Sequence, residues 1–316
     1  MDCIPNAREK GTPLKLPPIG LGCWAWGDSL FWGYNPMNDG DLQQVFDYAL
    51  SKSKKEPVLF DTAELYGLGR SEILLGNFAK AHNANERGKT ILATKFAALP
   101  FRTKPESVVK ACEASVKRLG GHPIDLYQIH FPNAYANAAY WDGLAMAYEK
   151  GLVQAVGVSN YGIDATRACH AALAKRGIPL ATNQIQHSLL YRYPEENGLL
   201  QACNDLGVQV LSYSPLALGL LTGKYDIDNV NQIQGPRKSL FQKTVGKADF
   251  KNLLDSMKTI ARDHGNDVNL AQVAINYCRA KNTIPIPGAR NLRQVQSNYG
   301  SLDWTMNSEE VKFLDQ

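Results

Sequence analysis

The chain has 316 residues, of which 44% are hydrophobic and 20% charged, a balance that excludes wholesale disorder. Lys and Arg number 34 against 30 Asp and Glu, and the resulting net charge of +4 is no nucleic-acid footprint, which would need a clustered basic face. No run approaches the roughly 18 consecutive apolar residues of a membrane-spanning helix, and the length fits either two domains or one large α/β barrel.

Residues 1–11 are polar, without the apolar run of a secretory signal or the Arg/Ser richness of a transit peptide. Eight short apolar runs then follow in order. They are 18–22 (PIGLG), 58–62 (VLFDT), 90–95 (TILATK), 124–130 (IDLYQIH), 153–159 (VQAVGVS), 182–186 (TNQIQ), 208–214 (VQVLSYS) and 283–287 (TIPIP). Nearly continuous β-branched runs of this kind mark strands buried on both faces of a parallel sheet.

Helical patterns lie between them. Leu42, Val45, Phe46, Ala49 and Leu50 share one helical face, as do Val108, Cys112, Val116 and Leu119, and Leu253, Leu254, Met257, Ile260 and Ala261. Gly120, Gly177 and Gly265 fall where those helices should stop. Strand–helix alternation repeated eight times without a compositional break predicts a single α/β domain over 1–316, a (β/α)8 TIM barrel. Residues 215–247 break the rhythm with Gly219, Gly223, Gly235 and Pro236, and show no clear strand or helix. A stretch of that length predicts a functional cover over a site.

The six cysteines, Cys3, Cys23, Cys112, Cys169, Cys203 and Cys278, form no C-x-x-C pair. Their wide, irregular spacing predicts no disulfide framework and no metal site, and points to a reducing compartment, the cytoplasm or the plastid stroma.

Active sites of barrels sit at the C-terminal ends of the strands. Asp61 ends the second run, Lys95 the third and His130 the fourth, while Tyr66 follows Asp61 in the next turn. Taken singly, these are a salt bridge, a packing histidine and a core tyrosine. Together at consecutive strand ends they suit proton transfer to a carbonyl oxygen gaining charge. The Lys95 ammonium should lower the Tyr66 pKa, Asp61 should hold Lys95, and His130 should orient the oxygen.

The ordered motifs FDTAELYG, ATKF, DLYQIH, VGVSNY, NQIQ, LSYSPLALGLLTGKY and IPIPGARNLRQVQSN resemble the aldo-keto reductase superfamily from about Leu16 onward. ATKFAALPFR and GCWAWGD are similar to a plant and algal, plastid-type branch. The resemblance implies a barrel reducing aldehydes or ketones to alcohols, of the alcohol dehydrogenase (NADP+) type, with Tyr66 as general acid and Asp61, Lys95 and His130 completing the catalytic tetrad. It places Ser159, Asn160 and Gln184 on the nicotinamide carboxamide and Tyr213 on the ring face. It puts Ser214, Pro215, Leu216, Ala217 and Lys224 along the phosphates, and Cys23, Trp24 and Asp61 close to the nicotinamide. Gly288, Arg290, Gln294 and Asn298 fall at the adenosine end. Asn291 with Gln294 resembles a capping box, whose helix N-terminus attracts anions. Arg290 at its mouth, with Arg293 one turn inside, favours NADP(H) over NAD. No G-x-G-x-x-G follows the first strand, so the cofactor is not expected on a Rossmann site.

Trp24, Trp26, Phe96 and Phe131, beside the tetrad, are expected to line an aromatic mouth for a small carbonyl substrate. Ser297 stands where many members carry an acidic residue. The chain stops soon after a helical pattern at 308–314, which predicts an open pocket. Two rivals remain at this stage. One is a regulatory binding protein like the superfamily's potassium-channel β subunits. The other is a Schiff-base lyase using Lys95, which a neighbouring carboxylate would disfavour. Neither the substrate nor the oligomeric state is read from the sequence.

Overall fold

A computed structural model of the chain describes residues 14–53, 56–82, 89–226, 228–233 and 237–316. The readings of 1–11, of Cys3 and of Gly235 and Pro236 lie outside the described residues. Eight strands form one sheet in chain order: β1 (Gly20–Gly22), β2 (Val58–Asp61), β3 (Thr90–Phe96), β4 (Ile124–Ile129), β5 (Val153–Ser159), β6 (Leu180–Gln186), β7 (Gln209–Tyr213) and β8 (Ile284–Pro285). Every neighbouring pair is parallel. The ends meet through a parallel bridge between Gly22 and Gly288, where the Gly22 N–H donates to Pro287 O at 3.1 Å. A Cβ at Gly22 would lie 2.8 Å from Ile286 O, so only glycine lets the seam close.

Side chains alternate across each strand, and this parity sets what the barrel holds. Leu59, Ile91, Ala93, Leu126, Ala155, Leu211, Ile284 and Ile286 fill its interior. The opposite parity, with Phe60, Leu92, Tyr127, Ile129, Val156 and Val158, packs outward against the helices. The helix Asp39–Ser51 buries Leu42, Val45, Phe46, Ala49 and Leu50 there, the face read from the sequence, and Phe46 stacks on Phe60 at 4.6 Å. Gly120, Gly177 and Gly265 have φ of 71°, 68° and 121°, consistent with their place at helix ends.

Two expectations need correction. Several strands are shorter than the apolar runs; β8 keeps only Ile284 and Pro285, because proline cannot extend a ladder. The segment 215–247 is not structureless. It contains 3-10 turns at Ala217–Thr222 and Val230–Gln232 and the α-helix Arg237–Val245. That helix buries only Phe241 and Val245, one i,i+4 pair, too few anchors to stand out as a periodic pattern. Cys23, Cys112, Cys169, Cys203 and Cys278 are free thiols, all buried. Among the described residues no helix is long and apolar enough to cross a membrane.

Candidate active site

The inward parity continues past the apolar plug. Beyond Leu59 comes Asp61; beyond Ala93, Lys95; beyond Leu126, Gln128 and then His130, just after β4. The sequence-predicted quartet is thereby brought together. Lys95 is fully buried, and its Nζ donates to Asp61 Oδ1 at 2.5 Å, to Thr62 O at 2.8 Å and to the Tyr66 hydroxyl at 3.3 Å. All three ammonium hydrogens are engaged, which leaves Lys95 charged and unavailable for attack on a carbonyl. The His130 ring meets the Tyr66 ring edge to face at 5.5 Å.

The turn carrying Tyr66 is pinned by a group that the sequence reading missed. Glu64 donates its N–H to Lys95 O at 3.3 Å, and its Oε1 accepts from Ala97 N–H and Arg102 Nη1, each at 2.5 Å. Glu64 lies inside the motif DTAELYG, but Arg102 is a loop residue whose partner no local pattern announces.

The electrostatics differ from the sequence expectation in one respect. Burial raises the Tyr66 pKa above the usual 10, and the Lys95 ammonium opposes without reversing it. The protein groups alone therefore do not bring the phenol into the neutral range. Burial pulls the Lys95 pKa down, but Asp61 and Tyr66 overcome that and raise it. Burial and then the Lys95 charge push His130 down to about 3, so its imidazole is neutral. His130 Nδ1 is buried without a hydrogen-bond partner. The Cys23 thiol is buried beside Asp61 and Lys95 and held protonated, bonded to Leu21 O at 3.6 Å. It packs into the barrel wall and presents no exposed surface to a cofactor.

The residues expected at a nicotinamide form one connected shelf. Ser159 Oγ donates to Gln184 O at 2.8 Å. Asn160, at φ 61°, donates through Nδ2 to His130 O at 3.0 Å and to Ser159 Oγ at 3.1 Å, and accepts from the Tyr213 hydroxyl at 2.9 Å. Gln184 Nε2 donates to Asp61 Oδ2 at 2.8 Å. Ser214, Ala217 and Leu218 take positive φ of 53°, 48° and 59°, a concentration of left-handed residues at the stretch expected to follow the phosphates. Pro215 is buried, Leu216 and Ala217 are partly buried, and Lys224 is exposed.

At the far end, Asn291 caps the helix Leu292–Gly300, accepting from Gln294 N–H at 3.0 Å. The reciprocal bond of a capping box is displaced: Gln294 Oε1 accepts from Arg290 N–H at 2.8 Å instead. Asn298 Nδ2 donates to Gly288 O at 3.3 Å, while Arg293 is exposed. Arg290 Nη1 donates to Trp32 O at 3.1 Å. Its pKa is lowered by desolvation and by the Arg237 guanidinium. Arg237, 4.6 Å from the Trp32 ring, keeps a buried Nε with no partner, and Trp32 Nε1 is likewise unpartnered. Two guanidinium groups and unsatisfied N–H donors gathered there fit an anionic group. Arg237 was missed because it sits in the segment read as structureless.

Of the four aromatics expected at a substrate mouth, Trp24 and Phe131 stand beside the quartet. Trp24 stacks on Phe31 at 4.8 Å, meets Trp32 edge-on at 5.5 Å and stands 6.2 Å from Tyr66. Phe131 lies 5.3 Å from His130. Trp26 and Phe96 do not reach the mouth. Trp26 is buried in the outer layer, its indole donating to Ala289 O at 2.9 Å. Phe96 follows the inward Lys95, so it points outward, where it packs on Tyr140 at 5.2 Å. Leu68, Phe101 and Tyr135 stand exposed on the loops after β2, β3 and β4, at the same end of the barrel.

Residues 18–316 match the family model described as the aldo/keto reductase family. The chain is 42% identical over 321 aligned residues to a pyridoxal reductase, chloroplastic, of Arabidopsis thaliana, covering 98% of this chain and 86% of that protein. It is 27% identical to the NADP(+) aldo-keto reductase yakc of Schizosaccharomyces pombe, covering 94% and 87%. Among solved structures, a glycerol dehydrogenase from Gluconobacter oxydans superimposes with a TM-score of 0.79 at 26% identity, covering 98% of this chain and 93% of that one.

Proposed function

The chain belongs to the aldo/keto reductase family, and we propose that it is an NADPH-dependent reductase of aromatic aldehydes of the pyridoxal type, working as one barrel domain. The observation that carries this reading is the Lys95 ammonium, which bonds Asp61 on one side and the Tyr66 hydroxyl on the other. The NADP(+) relative and the two arginines at Trp32 support the choice of cofactor. The Arabidopsis relative and the Trp24–Phe31 stack support a flat aromatic substrate. The chloroplastic relative, together with free buried thiols, supports a reducing compartment such as the plastid stroma.

When bound, NADPH supplies a hydride to the carbonyl carbon. The chain's residues handle the oxygen. A neutral His130 has one N–H to orient it, and Tyr66 gives its proton as charge develops there. Lys95 then stabilises the phenolate, and Asp61 keeps Lys95 charged and aligned. Ser159, Asn160 and Gln184 would hold a carboxamide, Tyr213 a ring face, Arg290 and Arg237 a phosphate, and residues 215–247 would cover them.

The test is NADPH and NADH oxidation with pyridoxal and a panel of aldehydes, alongside Tyr66→Phe. The reading expects NADPH-preferring turnover that drops by about two to four orders of magnitude in Tyr66→Phe. Tight NADPH binding without turnover of any aldehyde would overturn it in favour of a cofactor-sensing binding protein.

A further inference from the structure

Gln128 has no assigned role, yet it is fully buried inside the barrel, one inward position below His130. Its Nε2 donates to Asp61 Oδ2 at 3.3 Å, and its Oε1 accepts from Thr182 Oγ1 at 3.2 Å. Gln128 and Thr182 come from β4 and β6, and the strand between them makes room. A Cβ at Gly157 of β5 would collide with Thr182 Oγ1 and come within 3.1 Å of Gln128 Cγ. The β5–β6 register also shifts between Val156 and Gly157, which brings Thr182 opposite the glycine.

We propose that Gln128 is a positioning residue for proton transfer: locked by Thr182 in the space left by Gly157, it donates to Asp61 and holds the Asp61–Lys95 pair against Tyr66. The proposal rests on the reading of Tyr66 as general acid.

The physical case concerns Asp61, which is 1% exposed. Lys95 and Gln184 do not exhaust what a carboxylate accepts. An amide adds a donor without adding charge, at every pH. Four titratable groups surround this point: Lys95 from β3, Tyr66 after β2, Cys23 after β1 and His130 after β4. Removing the amide acts on Tyr66 in one direction. If Asp61 stays charged, its carboxylate is less compensated and repels the phenolate more. If the buried pair neutralises, the Lys95 ammonium is lost. Both make Tyr66 a weaker acid.

The test follows tyrosinate absorbance in the near ultraviolet after a rapid jump to alkaline pH, each background read against its own Tyr66→Phe partner. Gln128→Met is expected to lower the ionised fraction of Tyr66 at a given pH about three- to tenfold, half to one pH unit. Thr182→Val, which frees Gln128 without removing it, should act the same way more weakly, and decides the matter if Gln128→Met does not fold. NADPH affinity should stay at the wild-type value, and thermal unfolding checks that each variant is folded at the temperature of the titration. An ionised fraction that is unchanged or raised overturns the proposal, as does a parallel loss of NADPH affinity. Pyridoxal turnover by the wild type is measured beside it. Absence of turnover with a shifted titration sinks the functional reading alone.

Discussion

Gln184 Nε2 lies 2.8 Å from Asp61 Oδ2, so the amide expected to hold a nicotinamide carboxamide is also bonded to the carboxylate that anchors Lys95. On the proposed reading, cofactor binding and proton delivery would share one side chain. Its Oε1 is the atom with which it can accept from a carboxamide N–H. Gln184→Leu should therefore weaken NADPH binding about three- to tenfold, one hydrogen bond's worth. It should also lower kcat at saturating NADPH, because Asp61 loses its shorter amide donor. Cofactor titration by fluorescence and steady-state kinetics separate the two. A pure binding defect with unchanged kcat would contradict the shared role.

The Asp61–Lys95 pair has consequences for stability. Lys95 is wholly buried and Asp61 nearly so. Removing one partner strands the other charge in the barrel, typically a loss of about 3–5 kcal/mol. Asp61→Asn is expected to show that loss in urea unfolding. Asp61→Asn combined with Lys95→Met should recover a large part of it, although the double variant will be inactive. Equal destabilisation of the single and double variants would mean that the charges are not the source.

At Trp32, Arg237 and Arg290 predict how the cofactor is chosen. A charged hydrogen bond to a phosphate is worth about 1.5–3 kcal/mol, roughly ten- to a hundredfold in affinity. Arg290→Ala and Arg237→Ala should each lose about that factor for NADPH and little for NADH. An equal loss for both cofactors in either variant would assign that arginine to a part of the cofactor that the two share.

Much of this was legible because period-two alternation carries chemistry as well as packing. Once Leu59 and Ala93 point into the barrel, Asp61 and Lys95 must follow, and the buried run DLYQIH places Gln128 and His130 on the same inward row. Phe96 was misplaced by the same rule left unapplied, being the outward neighbour of Lys95, whereas Trp26 lies in the turn after β1, where no strand alternation applies. Arg237 and Arg102 were invisible for a different reason. Each acts through a loop or short helix whose path depends on long-range packing, Arg237 on Trp32 and Arg102 on Glu64, and no local periodicity encodes such a pairing.

Acid stability should report on a second polar network, away from the tetrad. Burial pushes the Glu195 carboxyl up, but hydrogen bonds from His187 and Lys281 overcome this and hold it down at about 2, against the usual 4.5. A carboxyl with a depressed folded pKa stabilises above its unfolded pKa, and that stability fades as pH falls from about 4.5 to about 2. Glu195→Gln should lower stability at pH 7 and flatten its decline across that window, measured by urea unfolding at a series of pH values. A wild-type slope in the variant would place the acid sensitivity elsewhere.

His130 acts in a higher, overlapping window with a different signature. Its folded pKa of about 3 lies far below the ordinary 6.5, through burial and then the Lys95 charge. Between those values the unfolded chain takes up a proton that the folded chain refuses, so stability falls as pH drops from 6.5 towards 3. The imidazole stays neutral throughout, and it keeps a single N–H with which to meet a carbonyl oxygen. Two outcomes follow. Aldehyde reduction between pH 5 and 8 should show no inflection near 6.5, because no histidine of the tetrad titrates there. His130→Gln, which retains an N–H donor without the titration, should flatten the stability slope and keep more activity than His130→Leu. An inflection near 6.5 that His130→Gln abolishes would show instead that the imidazole works as a cation.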